Sequence, residues 1–255
     1  MKITILGCGA SGGVPVISTG WGNCDPTNPR NRRRRPSILV EEGGQTILVD
    51  TSPDLRAQLL DAQVRRLDAI LFTHAHADHV HVIDDLREVN RAMNGPLDAF
   101  GSAKTLAEIA DRFGYVFEPL PPNPPFIYKP WLTPRQIDGP FSVGPLRVVP
   151  VDQDHCYGRT TGYRFDRVAY STDLVELPEK SFATLSGLDL WIVGCISDLP
   201  TTNHAHIDKA LTWVERLKPK MTLITHMGPR LDYATLCADL PSGVAPAYDG
   251  QVIEI

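Results

Sequence analysis

The stretch "THAHADHVH", Thr73 to His81, limits what this chain can become more than any other part of it. It sets His74, His76, Asp78 and His79 directly after the strand-like run "AILF" and at the start of a helical pattern. Alternate residues of an extended segment point the same way, so His74 and His76 can grip one ion while Asp78 and His79 turn toward a second. Packing these four side chains together without metal would crowd imidazoles beside a carboxylate for no gain. Further ligands should then stand at the ends of other strands, where one sheet edge converges. His155 follows "LRVVPVDQD", Asp173 ends "VAYSTD" and His226 ends "MTLIT". Singly, each has an ordinary reading as a loop residue, a helix N-cap and a strand-end histidine. Jointly they point to one site.

Short β-rich runs occur at "KITIL", "SILVEE", "TILVD", "AILFT", "LDAF", "FSVGPLRVVPV", "TGYRF", "RVAYSTD", "LDLWIVG", "MTLIT" and "QVIEI". Helical patterns cover Asp54 to Val64, Asp78 to Met93, Ser102 to Phe113, Glu179 to Leu185, Ile207 to Leu217 and Tyr233 to Leu240. Hairpin-rich strands precede strand–helix alternation in each half, which predicts mixed sheets covered by helices rather than a doubly wound parallel sheet. With 255 residues, 42% of them hydrophobic, the expected organisation is one domain over 1–255. Tyr115 to Pro140, rich in proline and aromatics, is expected to be a long ordered loop or a lid, excluded from regular helix and central strand. No apolar run approaches the roughly 20 residues of a membrane helix, and "MKITILGCGA" reads as a strand. Five scattered cysteines suit reduced thiols, so a soluble cytoplasmic protein without membrane partners is expected.

Two local features need separate treatment. "GCGASG", Gly7 to Gly12, satisfies G-x-G-x-x-G after a strand, but the residues that follow open no helix. A dinucleotide site would lack its helix N-terminus, and a tight turn near the active edge is the better reading. The block "NPRNRRRRPS" sets Arg30 and Arg32 to Arg35 in a chain of formal net charge -5. Overall acidity argues against a general nucleic-acid binder, so the block has a local purpose. If the segment is extended, Arg33 and Arg35 share one face and Arg32 and Arg34 the other. One set can reach the metals and hold a phosphate bidentately, and the other would pair with carboxylates.

H-x-H-x-D-H followed by isolated His, Asp and His resembles the metallo-β-lactamase superfamily over essentially the whole chain. The resemblance implies an α/β (α+β) fold, the αβ/βα sandwich of two mixed β-sheets flanked by helices. It implies that His74, His76 and His155 hold a first divalent ion, that Asp78, His79 and His226 hold a second, and that Asp173 bridges them. Asp50, ending "TILVD", matches the superfamily's acidic residue behind the metals and would orient a ligand histidine. In "TTNHAHIDKAL", His204 stands where the phosphodiesterase branches carry a histidine, so it is the expected catalytic proton donor alongside Asp78; His206 is the structural neighbour near the N-cap. Arg33, Arg35 and His81 are the expected substrate-binding residues.

"LGCGASGGVP", "NRRRRPS", "VDTSPDLR", "HADHVHVIDDLR", "YSTDLVELPE" and "LPSGVAPAYDGQ" resemble the PhnP-like branch. Three positions depart from it. Only Cys24 stands where some members carry several zinc-binding cysteines, so no structural zinc is expected there. Val82 replaces a usual glycine, and Gly194 replaces a common acidic residue. The expected activity is hydrolysis of a small cyclic or nucleotide-like phosphodiester, for example a ribosyl 1,2-cyclic phosphate, with two Mn or Zn ions. RNA cleavage of the tRNA 3′ processing type is the main alternative, although no protruding Gly-rich or Lys-rich arm is visible. Thioester or lactone hydrolysis and non-catalytic nucleotide binding are weaker ones. Related proteins are often dimers, so the resemblance allows a homodimer.

Overall fold

Alternate residues of the N-terminal strands feed two different cores. Ile3 and Ile5 of β1 (Lys2–Gly7), Ile38 and Val40 of β2 (Ser37–Glu42), and Ile47 and Val49 of β3 (Gln45–Val49) join one buried cluster. Leu6, Leu39 and Leu48, from the same strands, join another. Successive strand side chains point to opposite faces, so this sheet is covered on both sides.

The computed structural model describes residues 1–121, 124–156 and 158–255. β1 to β3 pair as antiparallel neighbours, and β4 (Ala69–Leu71), β5 (Leu97–Gly101) and β6 (Leu132–Gln136) continue the sheet in parallel. β14 (Val252–Glu254) closes the other edge against β1. The second sheet runs in the order β13 (Val244–Pro246), β12 (Met221–Thr225), β11 (Leu190–Gly194), β10 (Val168–Ser171), β9 (Gly158–Phe165), β8 (Leu146–His155), β7 (Phe141–Val143). Tyr163, Phe165, Tyr170 and Trp191 of this sheet share a core with the inner residues of the first. Leu55 and Leu59 of α1 (Leu55–Asp61), Val80 of α2 (Ala77–Val80), Leu86 and Val89 of α3 (Leu86–Met93) and Ile109 of α4 (Ala103–Phe113) pack on the first sheet's other face. Phe182 of α5 (Glu179–Thr184), Trp213 of α6 (Ile207–Leu217) and Leu236 of α7 (Tyr233–Asp239) join the larger cluster. The result is the expected pair of mixed sheets flanked by helices.

Three elements differ from expectation. The helix expected from Asp78 to Met93 is interrupted: α2 ends at Val80, and Val82 leaves the helical region with φ -110 and ψ 35 before α3 begins. The branched Val82 side chain packs against the second cluster there, where tertiary contact overrides helical periodicity. β6 lies in the proline-rich segment and β13 was not anticipated. Each is an edge strand with a proline (Pro134, Pro246), a position that tolerates a missing N–H donor. Pro122 and Asn123 of the proline-rich segment lie outside the described residues. Among the described residues no helix is long and apolar enough to cross a membrane.

The glycine-rich turn after β1 opens no helix, and the arginine segment crosses it instead. The Gly9 N–H donates to the Arg34 carbonyl at 2.8 Å, and Val14 and Arg33 exchange two backbone hydrogen bonds of 2.9 Å. A Cβ on Gly7 would stand 2.1 Å from the Arg35 carbonyl oxygen. Gly7→Ala is therefore expected to lower the free energy of unfolding by about 3 kcal/mol, through displacement of the arginine segment. Urea unfolding measures it, and a change within about 0.5 kcal/mol would contradict this close packing.

Candidate metal centre

Several strands of the two sheets end at the same edge in residues of left-handed backbone conformation. Asp50 after β3 has φ 65, Asp173 beyond β10 has φ 49, and His226 after β12 has φ 56. Each bends the chain sharply as it leaves the sheet. Aspartate visits this region at modest cost, whereas a histidine held there stores strain that its surroundings must offset.

The side chains meet in two groups that share one residue. His74, His76, His155 and Asp173 form one, and Asp78, His79, Asp173 and His226 the other; within each group the ligand atoms lie within 4.8 Å of one another. The Asp173 carboxylate divides its oxygens between them. Oδ2 lies 3.5 Å from His74 Nε2 and 3.8 Å from His155 Nε2, while Oδ1 lies 3.3 Å from His79 Nε2 and 2.9 Å from His226 Nε2. Asp78 Oδ2 stands 3.4 Å from His79 Nε2 and 3.6 Å from His226 Nε2. Nε2 of His74 and His79 is buried without a hydrogen-bond partner among the described residues, and His226 Nε2 meets only carboxylate oxygens. Orphaned polar atoms of this kind cost about 1–3 kcal/mol each unless something else satisfies them. A cation in each group would do so, and imidazole with carboxylate donors suits divalent transition metals.

Outer hydrogen bonds orient most of these rings. His79 Nδ1 lies 2.6 Å from Asp50 Oδ2, and Asp50 also accepts from the Thr73 N–H and hydroxyl, both at 2.8 Å. His74 Nδ1 lies 3.0 Å from the Thr73 hydroxyl, and His155 Nδ1 lies 2.8 Å from the Asn203 carbonyl. In each ring this leaves Nε2 free to face the cleft, the arrangement that raises ligand basicity.

Charge is partitioned unequally. Burial works to raise the Asp173 carboxyl, but the charges and hydrogen bonds of His226 and His79 outweigh it and hold the group well below the usual carboxylate range. Asp78 is held down against burial in the same way, by His79 and His226. Burial works to lower His79 and His226; the surrounding carboxylates overcome it, Asp173 first, and raise His226 to about 9. Burial and neighbouring imidazoles leave His74 and His155 below their ordinary value.

His204 lies over both groups: its ring centroid is 4.8 Å from that of His155 and 4.9 Å from that of His226, stacked on the latter at 23°. Burial, then the His226 charge, push it down to about 4. His206 is the N-cap of α6 and makes no side-chain capping bond.

Arg33, Arg35 and His81, the expected substrate-binding residues, are not among the residues that line this cleft. Arg33 is only 2% exposed, with Nη1 3.4 Å from the Gly228 carbonyl and Nη2 3.3 Å from Asn31 Oδ1. Arg35 pairs with Asp54 at 3.1 Å, ahead of α1. His81 is exposed and meets Phe113 edge-on, with ring centroids 6.1 Å apart. The alternation of the arginine segment is spent on backbone carbonyls, carboxylates and aromatic faces: Arg34 pairs with Asp61, Arg32 lies over Trp21, and Arg30 over Tyr233 and Tyr248. A cavity of about 790 Å³ runs beside it, yet it contains none of the seven candidate ligands. The smaller cleft of about 450 Å³ holds the chemistry, and its wall includes Ser11, Lys104 and Arg159, which sequence reasoning missed. Ser11 belongs to the glycine-rich turn expected near the active edge, whereas no local pattern marks Lys104 and Arg159, because long-range packing alone brings the starts of α4 and β9 to the cleft.

Residues 45–227 match the beta-lactamase superfamily domain. The chain belongs to the metallo-β-lactamase superfamily. Over 100% of its length and 97% of the other chain it superposes on the crystal structure of a new diphosphatase from the PhnP family, with TM-score 0.91 and 31% sequence identity. It is a hydrolase-fold member of the PhnP type. An octanoyltransferase of Porphyromonas gingivalis is 30% identical over 257 residues, 98% of this chain and 51% of that protein. The chain thus spans about half the length of that relative. A ribonuclease Z of Bradyrhizobium sp. is 52% identical over 54 residues, 20% of this chain and 18% of that enzyme. The superfamily match and the two ligand groups suit a metal-dependent hydrolase.

Proposed function

We propose that this chain is a dinuclear metal-dependent phosphodiesterase that hydrolyses a small cyclic or nucleotide-like phosphodiester, for example a ribosyl 1,2-cyclic phosphate. The observation that carries this reading is the Asp173 carboxylate, one oxygen facing each ligand group, beneath a His204 ring that spans both. His74, His76 and His155 would hold one divalent cation, Asp78, His79 and His226 the other, and Asp173 both. Two such cations, Mn or Zn in this reading, supply a nucleophilic water at neutral pH and neutralise charge on a phosphoryl oxygen.

The chain's own residues do the rest. Asp50 holds His79 in the tautomer that leaves Nε2 facing the cleft. His204 is placed to give a proton to the leaving oxygen. It is neutral at pH 7 in the free site, and a bound phosphodiester anion would raise its proton affinity. Lys104 and Arg159 stand on the cleft wall, paired with Glu108 of the same wall at 3.8 Å and with Asp152 at 2.7 Å.

The short but strong match to ribonuclease Z favours RNA cleavage as the second reading. A panel of cyclic ribose phosphates, cyclic nucleotides, nucleoside diphosphate esters and precursor tRNA, each with Mn²⁺ and with Zn²⁺, separates them. Fastest turnover is expected on a cyclic ribose phosphate. Selective cleavage of precursor tRNA would transfer the assignment to the nuclease, and no turnover of any phosphate ester would end both.

A further inference from the structure

His226 differs from the other buried ligand histidines in how it is held. His74, His79 and His155 each have a partner at Nδ1, whereas Nδ1 of His226 is buried without one among the described residues, its Nε2 facing the Asp173 carboxylate at 2.9 Å. Its backbone is also in the left-handed region, at φ 56. With no Nδ1 bond to fix it from behind, the direction of this ring depends on its contacts with Asp173 and His204 and on whatever fixes the backbone that follows it.

That backbone is gripped from two sides. The Met227 N–H donates to the Cys8 carbonyl at 2.8 Å, and the Met227 carbonyl accepts from the Ala10 N–H at 3.1 Å. The next carbonyl, of Gly228, accepts from the buried Arg33 Nη1 at 3.4 Å. Cys8 to Ala10 lies beyond the end of β1, so something other than the sheet must hold it. The Asp249 carboxylate does so. Oδ1 accepts from the Cys8 N–H at 3.0 Å and lies 3.3 Å from the Cys8 thiol, and Oδ2 accepts from the Arg34 N–H at 2.7 Å. The Gly9 N–H donates in turn to the Arg34 carbonyl. One carboxylate near the C-terminal strand thus ties the loop after β1 to the arginine segment, and that loop carries the residue next to His226.

We propose that Asp249 and Arg33 are positioning residues for His226, acting through the Cys8–Ala10 and Gly228 backbone, and so set the affinity of the Asp78–His79–His226 metal site selectively. The inference rests on the dinuclear reading above. It assigns to Arg33 a part in the reaction that is structural in contact and specific in effect.

The test is calorimetric titration of Mn²⁺ into metal-free protein, for wild type, Asp249→Asn, Arg33→Lys and a His226→Ala control. It is run at pH 8, above the value of about 6 to which burial pushes the Asp249 carboxyl. In Asp249→Asn the amide must turn its NH₂ toward either the Cys8 or the Arg34 N–H. In Arg33→Lys the charge stays and the fork that joins the Gly228 carbonyl to Asn31 is lost. Two binding events are expected for wild type. Each variant should weaken the event that His226→Ala removes by roughly 10- to 100-fold, as loss of an outer support does, and leave the other within about twofold. Equal weakening of both events, or of neither, in a variant with wild-type circular dichroism would overturn the inference. If Asp249→Asn does not fold, Arg33→Lys decides alone. Failure of wild type to show two events would instead defeat the dinuclear reading.

Discussion

Asp173→Asn is expected to lower kcat/KM for bis(p-nitrophenyl) phosphate by about 10³- to 10⁴-fold while the protein stays folded. The size follows from what one oxygen atom for each metal group contributes. Loss of the bridging charge removes several kcal/mol of transition-state stabilisation, at about 1.4 kcal/mol per factor of ten. Asparagine is the right probe because the backbone at this position has φ 49, a conformation that asparagine adopts readily. The substitution therefore separates charge from backbone strain, which alanine would not. Steady-state kinetics with bound-metal analysis measures the effect. A variant that keeps both metals and more than about a tenth of the activity would show that Asp173 does not bridge.

His204→Ala should divide substrates by their leaving group. For a phosphodiester with an alkoxide leaving group, kcat is expected to fall about 10²- to 10⁴-fold, the usual range for a lost general acid. For the p-nitrophenyl ester, whose leaving group departs without a proton, the fall should stay below about tenfold. The pH profile gives a second check. A general acid must be protonated, and burial of the His204 ring disfavours its charged form. Its protonated fraction therefore declines at lower pH in the free enzyme than for an exposed histidine. A bound anion shifts the decline upward in the complex. Because kcat/KM reports free enzyme and kcat reports the complex, the alkaline limb of kcat/KM should lie at lower pH than that of kcat. Equal losses with both leaving groups would assign the proton to another donor.

The candidate ligands were legible because their signal is local. His74, His76, Asp78 and His79 sit close together in the chain, and His155, Asp173 and His226 each terminate a β-rich run. A strand end is marked by its own composition, and strand ends converge wherever sheets form. The arginine segment was legible only as a question. Alternation predicted which side chains share a face, but the partner of each face lies far away in sequence: Gly228 for Arg33, Asp61 for Arg34 and Asp54 for Arg35. Fixed charge suggested phosphate, and the folded chain had carbonyls and carboxylates nearer. The break at Val82 and the edge strands with Pro134 and Pro246 escaped for a related reason. Packing and sheet position decide such cases, and propensity does not carry that information.

By itself, then, the amino-acid sequence determined the chemistry on offer: imidazoles and carboxylates at strand ends, two mixed sheets to present them, and a histidine ahead of α6 for the proton. Only the tertiary structure decided that Asp173 splits its oxygens between two groups, that His204 spans them, and that the arginines brace the site from outside. The first kind of information depends on side-chain type and spacing along a few residues. The second depends on contacts such as Cys8 with Asp249, 241 positions apart, which arise only when the two sheets pack.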